Sequence, residues 1–311
     1  MARLVLGTNI NNTGTSSTVV EKPVPMPYSI QRVIDQNGVF SVPTNENIYI
    51  TTGNATSIGD SALAYAYCYS NTRTYGSFEV DFPEVTEIIK NNACSKMMQS
   101  HGWIPQKTGT FSAPKLKTVS GYGVFSYAFY SCKNLVSIDL SSLTTVSGYS
   151  AFDNAFRYTA ITTLDLHNLK TISGQYGMMY AFADTQSLTS VDISGLETIS
   201  GQSGCAGLFS LDSGNNKLKS ITFDSLYDVS GGAAFSRAFW GRSGLENIYF
   251  PALRTISFGS STNQFNQMLG NVTGCTIHFP SNLEPTIQTL TGYPNFSGTG
   301  TILAFDLPAT E

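Results

Sequence analysis

The stretch Leu143-Thr-Thr-Val-Ser-Gly-Tyr-Ser-Ala-Phe-Asp-Asn-Ala-Phe-Arg-Tyr-Thr-Ala-Ile-Thr-Thr-Leu-Asp-Leu-His-Asn168 decides how the chain is read. Its opening, Leu-x-Thr-(Ile or Val)-Ser-Gly, recurs with small departures from Leu116, Leu143, Leu169, Leu196, Leu226 and Leu253. Successive steps between these leucines are 27, 26, 27, 30 and 27 residues. Weaker copies run from Ala55 to Phe82 and from Val85 to Phe111, and the last from Leu253 to Phe279, which makes eight coils. A fixed period of this length marks a solenoid, in which each unit buries its apolar face against the next.

Each segment of the unit carries its own signal. Leu188-x-x-Val191-x-Ile193 alternates apolar and polar residues, the pattern of a half-buried strand. Leu169-x-x-Ile172 is a second, shorter apolar pair on another side of the coil. A glycine follows it at Gly121, Gly148, Gly174, Gly201 and Gly231, which predicts a turn with positive φ. Large residues then sit four apart, as in Phe125/Phe129, Phe152/Phe156, Met178/Phe182, Cys205/Phe209, Phe235/Phe239 and Phe265/Leu269. That spacing predicts one face of a short helical turn.

Composition removes several function classes. The chain has 311 residues, 17 Lys+Arg against 21 Asp+Glu, and only 12% charged residues, so it offers no basic footprint for nucleic acid. No window approaches 18 consecutive apolar residues, so no membrane insertion is expected. The 37 aromatic residues are spread along the whole length, which argues against disorder. Serine and threonine together number 71, so the exterior should be rich in small hydroxyls. Cys68, Cys94, Cys132, Cys205 and Cys275 are odd in number, lack metal-ligand spacing and read as buried free thiols.

The motif Ala128-Phe-Tyr-Ser-Cys132-Lys-Asn-Leu135-Val-Ser-Ile138-Asp-Leu140 resembles the BspA-like, or Treponema-type, leucine-rich repeat family, over roughly residues 55–283. The resemblance implies an α/β repeat: a right-handed solenoid with a ladder of parallel strands on one face. It also implies an adhesin or interaction protein, not an enzyme. The proline that such repeats often place after the strand appears here as Pro83, Pro251 and Pro280. The opening residues show no secretory apolar stretch.

Three regions are expected: residues 1–54 as an arm and docking segment, 55–283 as the solenoid, and 284–311 as a C-terminal cap. The first holds a polar run from Thr8 to Thr18, the stiff Pro23-Val-Pro-Met-Pro27, and a candidate hairpin from Val33 to Val42. The open ends also make self-association plausible.

Outward positions of the strand ladder form the first candidate binding surface: Ser137, Asp139, Thr163, Asp165, Ser190, Asp192 and Tyr249, with Asp81, Thr110, Thr222 and His278 in the aspartate column. Three aspartates in successive coils raise the question of calcium, but Ca²⁺ wants roughly 6–8 oxygens and single hydroxyls supply few, so no metal is assigned. Tyr122, Tyr149 and Tyr176, which follow the Ser-Gly turn in successive coils, form a second surface able to stack on sugars or anchor a protein. His101, His167 and His278 lie in different coils without a companion nucleophile, and no catalytic motif occurs. The expected role is therefore a non-enzymatic interaction protein without cofactors that binds a protein or glycan on a cell surface. Its expected place is a phage or prophage virion, held to virion proteins through residues 1–54. A secreted bacterial cell-surface adhesin is the alternative.

Overall fold

The computed structural model describes residues 2–5, 48–53, 55–64, 78–99, 108–212, 216–256, 264–291, 296 and 298–310. The Thr8–Thr18 run, the Val33–Val42 hairpin, Cys68, His101 and Trp103 lie outside them. Two ladders of parallel strands run along a solenoid of about eight turns. The longer strands are Ala2–Val5, Ile48–Thr51, Phe78–Asp81, Gly109–Ser112 and Leu135–Asp139 in one sheet. Thr163–Asp165 and Ser190–Asp192 form the next pair, and Ser220–Thr222, Asn247–Tyr249, Thr276–Pro280 and Ile302–Leu307 a third group. The second ladder has seven two-residue strands, from Glu87–Ile88 to Thr255–Ile256, each donating one outward residue and one buried Ile or Val.

Between the ladders the backbone is not helical, contrary to the expectation from residues four apart. It is a run of overlapping β-turns. Alternate N–H groups close turns inside the coil: Ser126 donates to Gly123 O, Ala128 to Phe125 O and Tyr130 to Tyr127 O. The intervening ones bond the next coil: Phe125 N–H to Ala151 O, Tyr127 to Asp153 O and Phe129 to Ala155 O, at 2.7–2.9 Å. Every fourth residue has positive φ, as at Ser150, Asn154 and Tyr158, then Tyr176, Tyr180 and Asp184. A four-residue backbone repeat produces the same side-chain spacing as a helical face, which is why the two are indistinguishable by pattern. Among the described residues the one α-helix is Glu284–Thr291.

The large residues of this run point inward and stack coil on coil. Phe129, Phe156, Phe182, Phe209 and Phe239 form one column, with ring centroids 5.3–6.1 Å apart and planes within 24° of parallel. Each buries a full aromatic side chain, worth roughly 1.5–3 kcal/mol relative to exposure. Cys94, Cys205 and Cys275 are buried free thiols in the same interior, where the buried Cys132 thiol donates to the Met98 carbonyl.

The recurring glycines work differently from the expectation. Gly121, Gly148, Gly174, Gly201 and Gly231 do not have positive φ. They are sites of close approach: a Cβ on Gly148 would lie 2.1 Å from the Gly121 carbonyl oxygen, and one on Gly174 would lie 2.2 Å from that of Gly148. The obstacle is backbone of the preceding coil, which has no rotamer to change. Gly148→Ala should therefore cost about 2–4 kcal/mol in denaturant unfolding. Gly274→Ala meets nothing within 4 Å and has only its positive φ to strain, so it should cost about 1 kcal/mol.

Candidate functional site

The strand register places the ladder candidates. Thr163 pairs with Ser190 and Asp165 with Asp192, while Tyr249 lies between Thr222 and His278. Ser137 pairs with Thr110, and Asp139 with Ser112. Thr110 thus stands beside Glu79 and Ser137, not in the aspartate column where the sequence put it: Phe111 pairs with Val80 and Ile138, one inward position earlier than Phe82 and Leu140, so Ser112 takes the column position. Ser137, Thr163, Asp165, Ser190 and Asp192 are exposed, whereas Asp139 and Tyr249 are half-buried.

The aspartates have a structural task. Oδ1 of Asp139, Asp165 and Asp192 each accepts the backbone N–H two residues on, from Ser141, His167 and Ser194, at 3.1 Å. The Ser141 and Ser194 hydroxyls add bonds of 2.7 Å to the same oxygens. This Asx-type turn occupies the place filled elsewhere by Pro83, Pro114, Pro251 and Pro280. Proline has no N–H to satisfy, and the aspartate accepts the one that its absence leaves. Among the described residues no group of three or more His, Cys, Asp or Glu could hold a metal ion.

Two histidines are also tied. His167 Nδ1 lies 2.6 Å from Asp165 Oδ1, and this bond holds the imidazole above its usual pKa. Partial burial raises the Asp165 carboxyl, but its bonds with His167 prevail and lower it. His278 Nδ1 lies 2.9 Å from both oxygens of Asp306, its Nε2 lies 3.1 Å from Asn247 Oδ1, and its ring stacks on Tyr249 at 4.3 Å.

The tyrosine edge is only partly in register. Tyr122 and Tyr149 stack at 5.2 Å with planes 7° apart and are 53% and 41% exposed. Tyr176 comes one position later. The Ser150 N–H bonds the Gln175 carbonyl just as the Gly123 N–H bonds that of Tyr149, so Gln175 occupies the place of Tyr149. The Tyr176 ring therefore meets Tyr149 edge-on, at 5.5 Å and 89°.

A further cluster escaped the sequence reading. Arg157 donates from Nε to Asp184 Oδ2 (2.8 Å), from Nη2 to Asp212 Oδ2 (2.7 Å) and to Tyr158 Oη (3.2 Å), and from Nη1 to Asn154 Oδ1 (3.3 Å). Its guanidinium lies over the Tyr158 ring at 4.9 Å and over Tyr180 at 5.2 Å. Tyr158 meets Tyr130 edge-on at 5.5 Å, and Tyr130 meets Tyr127 at 5.3 Å. Burial works against the Arg157 charge, but the bond to Asp184 and the field of the two aspartates hold its pKa above the usual value. Burial pushes the Asp153 carboxyl up to about 6, against a hydrogen bond from Asn154 and the Arg157 charge. The legible signal was the outward residues of the turn run, which flank the inward phenylalanines as Arg157 and Tyr158 flank Phe156.

A family model described as "BspA type Leucine rich repeat region", in six copies, matches residues 122–237 and 153–289. Among solved structures, the chain is similar to a leucine-rich repeat protein from Bacteroides ovatus ATCC 8483, at 18% identity and a TM-score of 0.35. That match covers 88% of this chain and 65% of the other, so this chain spans about two thirds of that protein. A leucine rich cell surface protein from Faecalibacterium prausnitzii A2-165 matches at 15% identity and a TM-score of 0.19, covering 80% of this chain and 86% of that one. No curated protein matches.

Two stability measurements test these assignments. Asp192→Ala should cost about 1 kcal/mol by orphaning the Ser194 N–H. In a Ser194→Pro background the same change should cost nothing from that bond, leaving a coupling energy of about 1 kcal/mol in the double-mutant cycle. Asp153 has a folded pKa of about 6 against an ordinary value of 3.8, so the native state holds its proton more tightly than the unfolded chain. Its contribution is favourable at low pH and is lost as pH rises from about 4 to 6. The span is at most about 3 kcal/mol, and less where water reaches the carboxylate. Asp153→Asn should therefore gain stability relative to the parent at pH 7 and lose that advantage at pH 4.

Proposed function

Since the chain belongs to the BspA-type leucine-rich repeat family, we propose that it is a non-enzymatic interaction protein whose working surface is the outside of the solenoid. The observation that carries this reading is the pair Tyr122 and Tyr149. Both are large aromatics held in register at the exterior, where neither gains full burial. Tyrosine in such a place supplies contact area at low conformational cost to a partner. The hydroxyls of Ser137, Thr163 and Ser190 add an uncharged polar surface that a ligand strips of water cheaply.

In this reading the chain is an outward-facing component of a bacteriophage or prophage particle that attaches to a cell-surface or mucosal ligand. Residues 1–54 dock it, although their strands Ala2–Val5 and Ile48–Thr51 already continue the ladder that the sequence began at residue 55; residues 55–283 form the remaining coils and residues 284–311 cap it. Pairing of Ile302–Leu307 with Thr276–Pro280 supports the cap. The low charge of the chain favours a role in recognition over electrostatic capture.

Labelled full-length chain should adhere to bacterial or mucosal surfaces, and Tyr122→Ala with Tyr149→Ala should weaken adherence about tenfold while the fold persists. Absence of adherence on every surface overturns the interaction role. Mass analysis of purified phage particles should find the chain, and its absence there overturns the virion placement alone.

A further inference from the structure

The turn run offers an economical residue at each left-handed position, and some coils take it: Gly123, Gly207 and Gly241 have positive φ, as do Asn92, Asn154 and Asn271. For a residue with a Cβ beyond Asn or Asp this conformation is strained. Three nearby positions nevertheless carry tyrosine: Tyr127 at φ 55°, Tyr158 at 63° and Tyr180 at 51°. Lys96, Arg237 and Gln267 occupy the column of Tyr127 and Tyr180 in other coils, so the backbone accepts many side chains there without demanding an aromatic one. The positive φ is thus a property of the turn run, shared by Ser150, Tyr176 and Ala233, and it is the cluster the rings form that sets these coils apart.

Tyr158 and Tyr180 flank Arg157, Tyr130 meets Tyr158 and Tyr127 meets Tyr130, and all four rings remain half-buried at the surface. The polar groups beside them are already ordered. Tyr158 Oη lies 3.3 Å from Asp212 Oδ2, and Arg157 is held by Asp184 and Asp212 together. Asp184, its side chain 2% exposed, fixes the guanidinium from beneath and also accepts the Asp212 N–H at 2.7 Å. Asp212 stays open to solvent. Aromatic rings beside pre-ordered planar polar groups suit a ligand with an apolar face and a rim of hydroxyls. Arg157 offsets one of the two aspartate charges it pairs with, so the cluster does not favour an anionic partner. Tyr127 and Tyr180 stand two coils apart in one column with Asn154 between them, and Tyr158 stands in the adjacent column of the middle coil, so the rings spread over three coils.

We infer that Tyr127, Tyr130, Tyr158 and Tyr180, with Arg157 and Asp212, form a binding platform for a neutral oligosaccharide. This rests on the interaction reading above and names its ligand class and face. The residues differ from the stacked pair Tyr122/Tyr149 and from the strand ladder, so the two surfaces are separable by mutation.

The test uses the full chain on an array of N-acetylglucosamine oligomers, galactosides, glucans and mannans, with thermal unfolding of each variant. Tyr127→Asn and Tyr180→Asn should leave Tm unchanged or raise it by about a degree or two as backbone strain is relieved, yet lose binding at least about tenfold. Tyr130→Ala should lose binding to the same extent, and Tyr130→Phe, which keeps the ring, should retain it within about threefold. That pair decides the matter if the asparagine variants do not fold. The inference is overturned if the chain binds no glycan on the array, if the tyrosine variants bind as well as the parent, or if the asparagine variants fold with Tm several degrees lower. A negative array alongside tyrosine-dependent adherence to cells removes the glycan and leaves the interaction role standing. Loss of all adherence removes both.

Discussion

Successive coils touch backbone to backbone at one column of glycines, and the rest of the solenoid is set by that contact. With the Gly121 carbonyl oxygen 2.1 Å from where a Gly148 Cβ would be, the two coils pass at a distance no other residue permits. The column continues through Gly174, Gly201 and Gly231, with separations of 2.2–2.3 Å. Close passage on this side sets the pitch at which the seven short strands pair, and it holds the turn run in register so that its alternate N–H groups find the next coil. The same register lays phenylalanine on phenylalanine inside. Burial of the rings provides the drive, and the missing Cβ provides the geometry.

The period and the inward residues were fully legible, because a hydrophobic position repeated every 26–30 residues is buried by stacked coils and by little else. Local backbone was less so. Phe125 and Phe129 are four apart in a helix and four apart in paired β-turns, and side-chain spacing alone does not separate the two. The glycines were recognised, but a glycine needed for close approach looks the same in sequence as one needed for positive φ. Tyr176 was misplaced because Gly174-Gln175-Tyr176 carries its ring one residue later than Gly148-Tyr149 does, and a one-residue shift changes which face a side chain takes.

The aspartate column shows how a structural need imitates a binding site. Asp139, Asp165 and Asp192 fall in consecutive coils and face outward, as a ligand ladder would. Their Oδ1 atoms are occupied by the backbone of their own turns. A signal was available in the sequence: these are coils that lack the proline present at Pro83, Pro114, Pro251 and Pro280. Asp81 is the instructive exception, since it precedes Pro83 and has no such N–H to accept. Burial and the neighbouring Glu79 raise its carboxyl, with only Ser112 opposing. The aspartate is at ease where the turn supplies a donor and less so where proline removes it.

Two arginines then add what a stack of nearest neighbours lacks. Arg157 reaches forward to Asp184 in the next coil and to Asp212 in the one beyond. Arg242, with no exposed surface, reaches back past the Phe209 carbonyl to the Thr185 carbonyl at 3.2 Å and its hydroxyl at 3.0 Å. It also donates to Asn216 Oδ1 at 3.2 Å, beside the longest interval of the repeat. Burial pulls its pKa down to about 10 against the opposing pull of Asp184, so it remains charged at neutral pH and its carbonyl partners stay engaged. The two braces meet at adjacent residues, Asp184 and Thr185, from opposite directions along the axis. In a purely nearest-neighbour solenoid each interface opens independently of the one after it. Here the coils from Arg157 to Arg242 are coupled two at a time, and the rings of Tyr158 and Tyr180 stand on coils that these braces tie together.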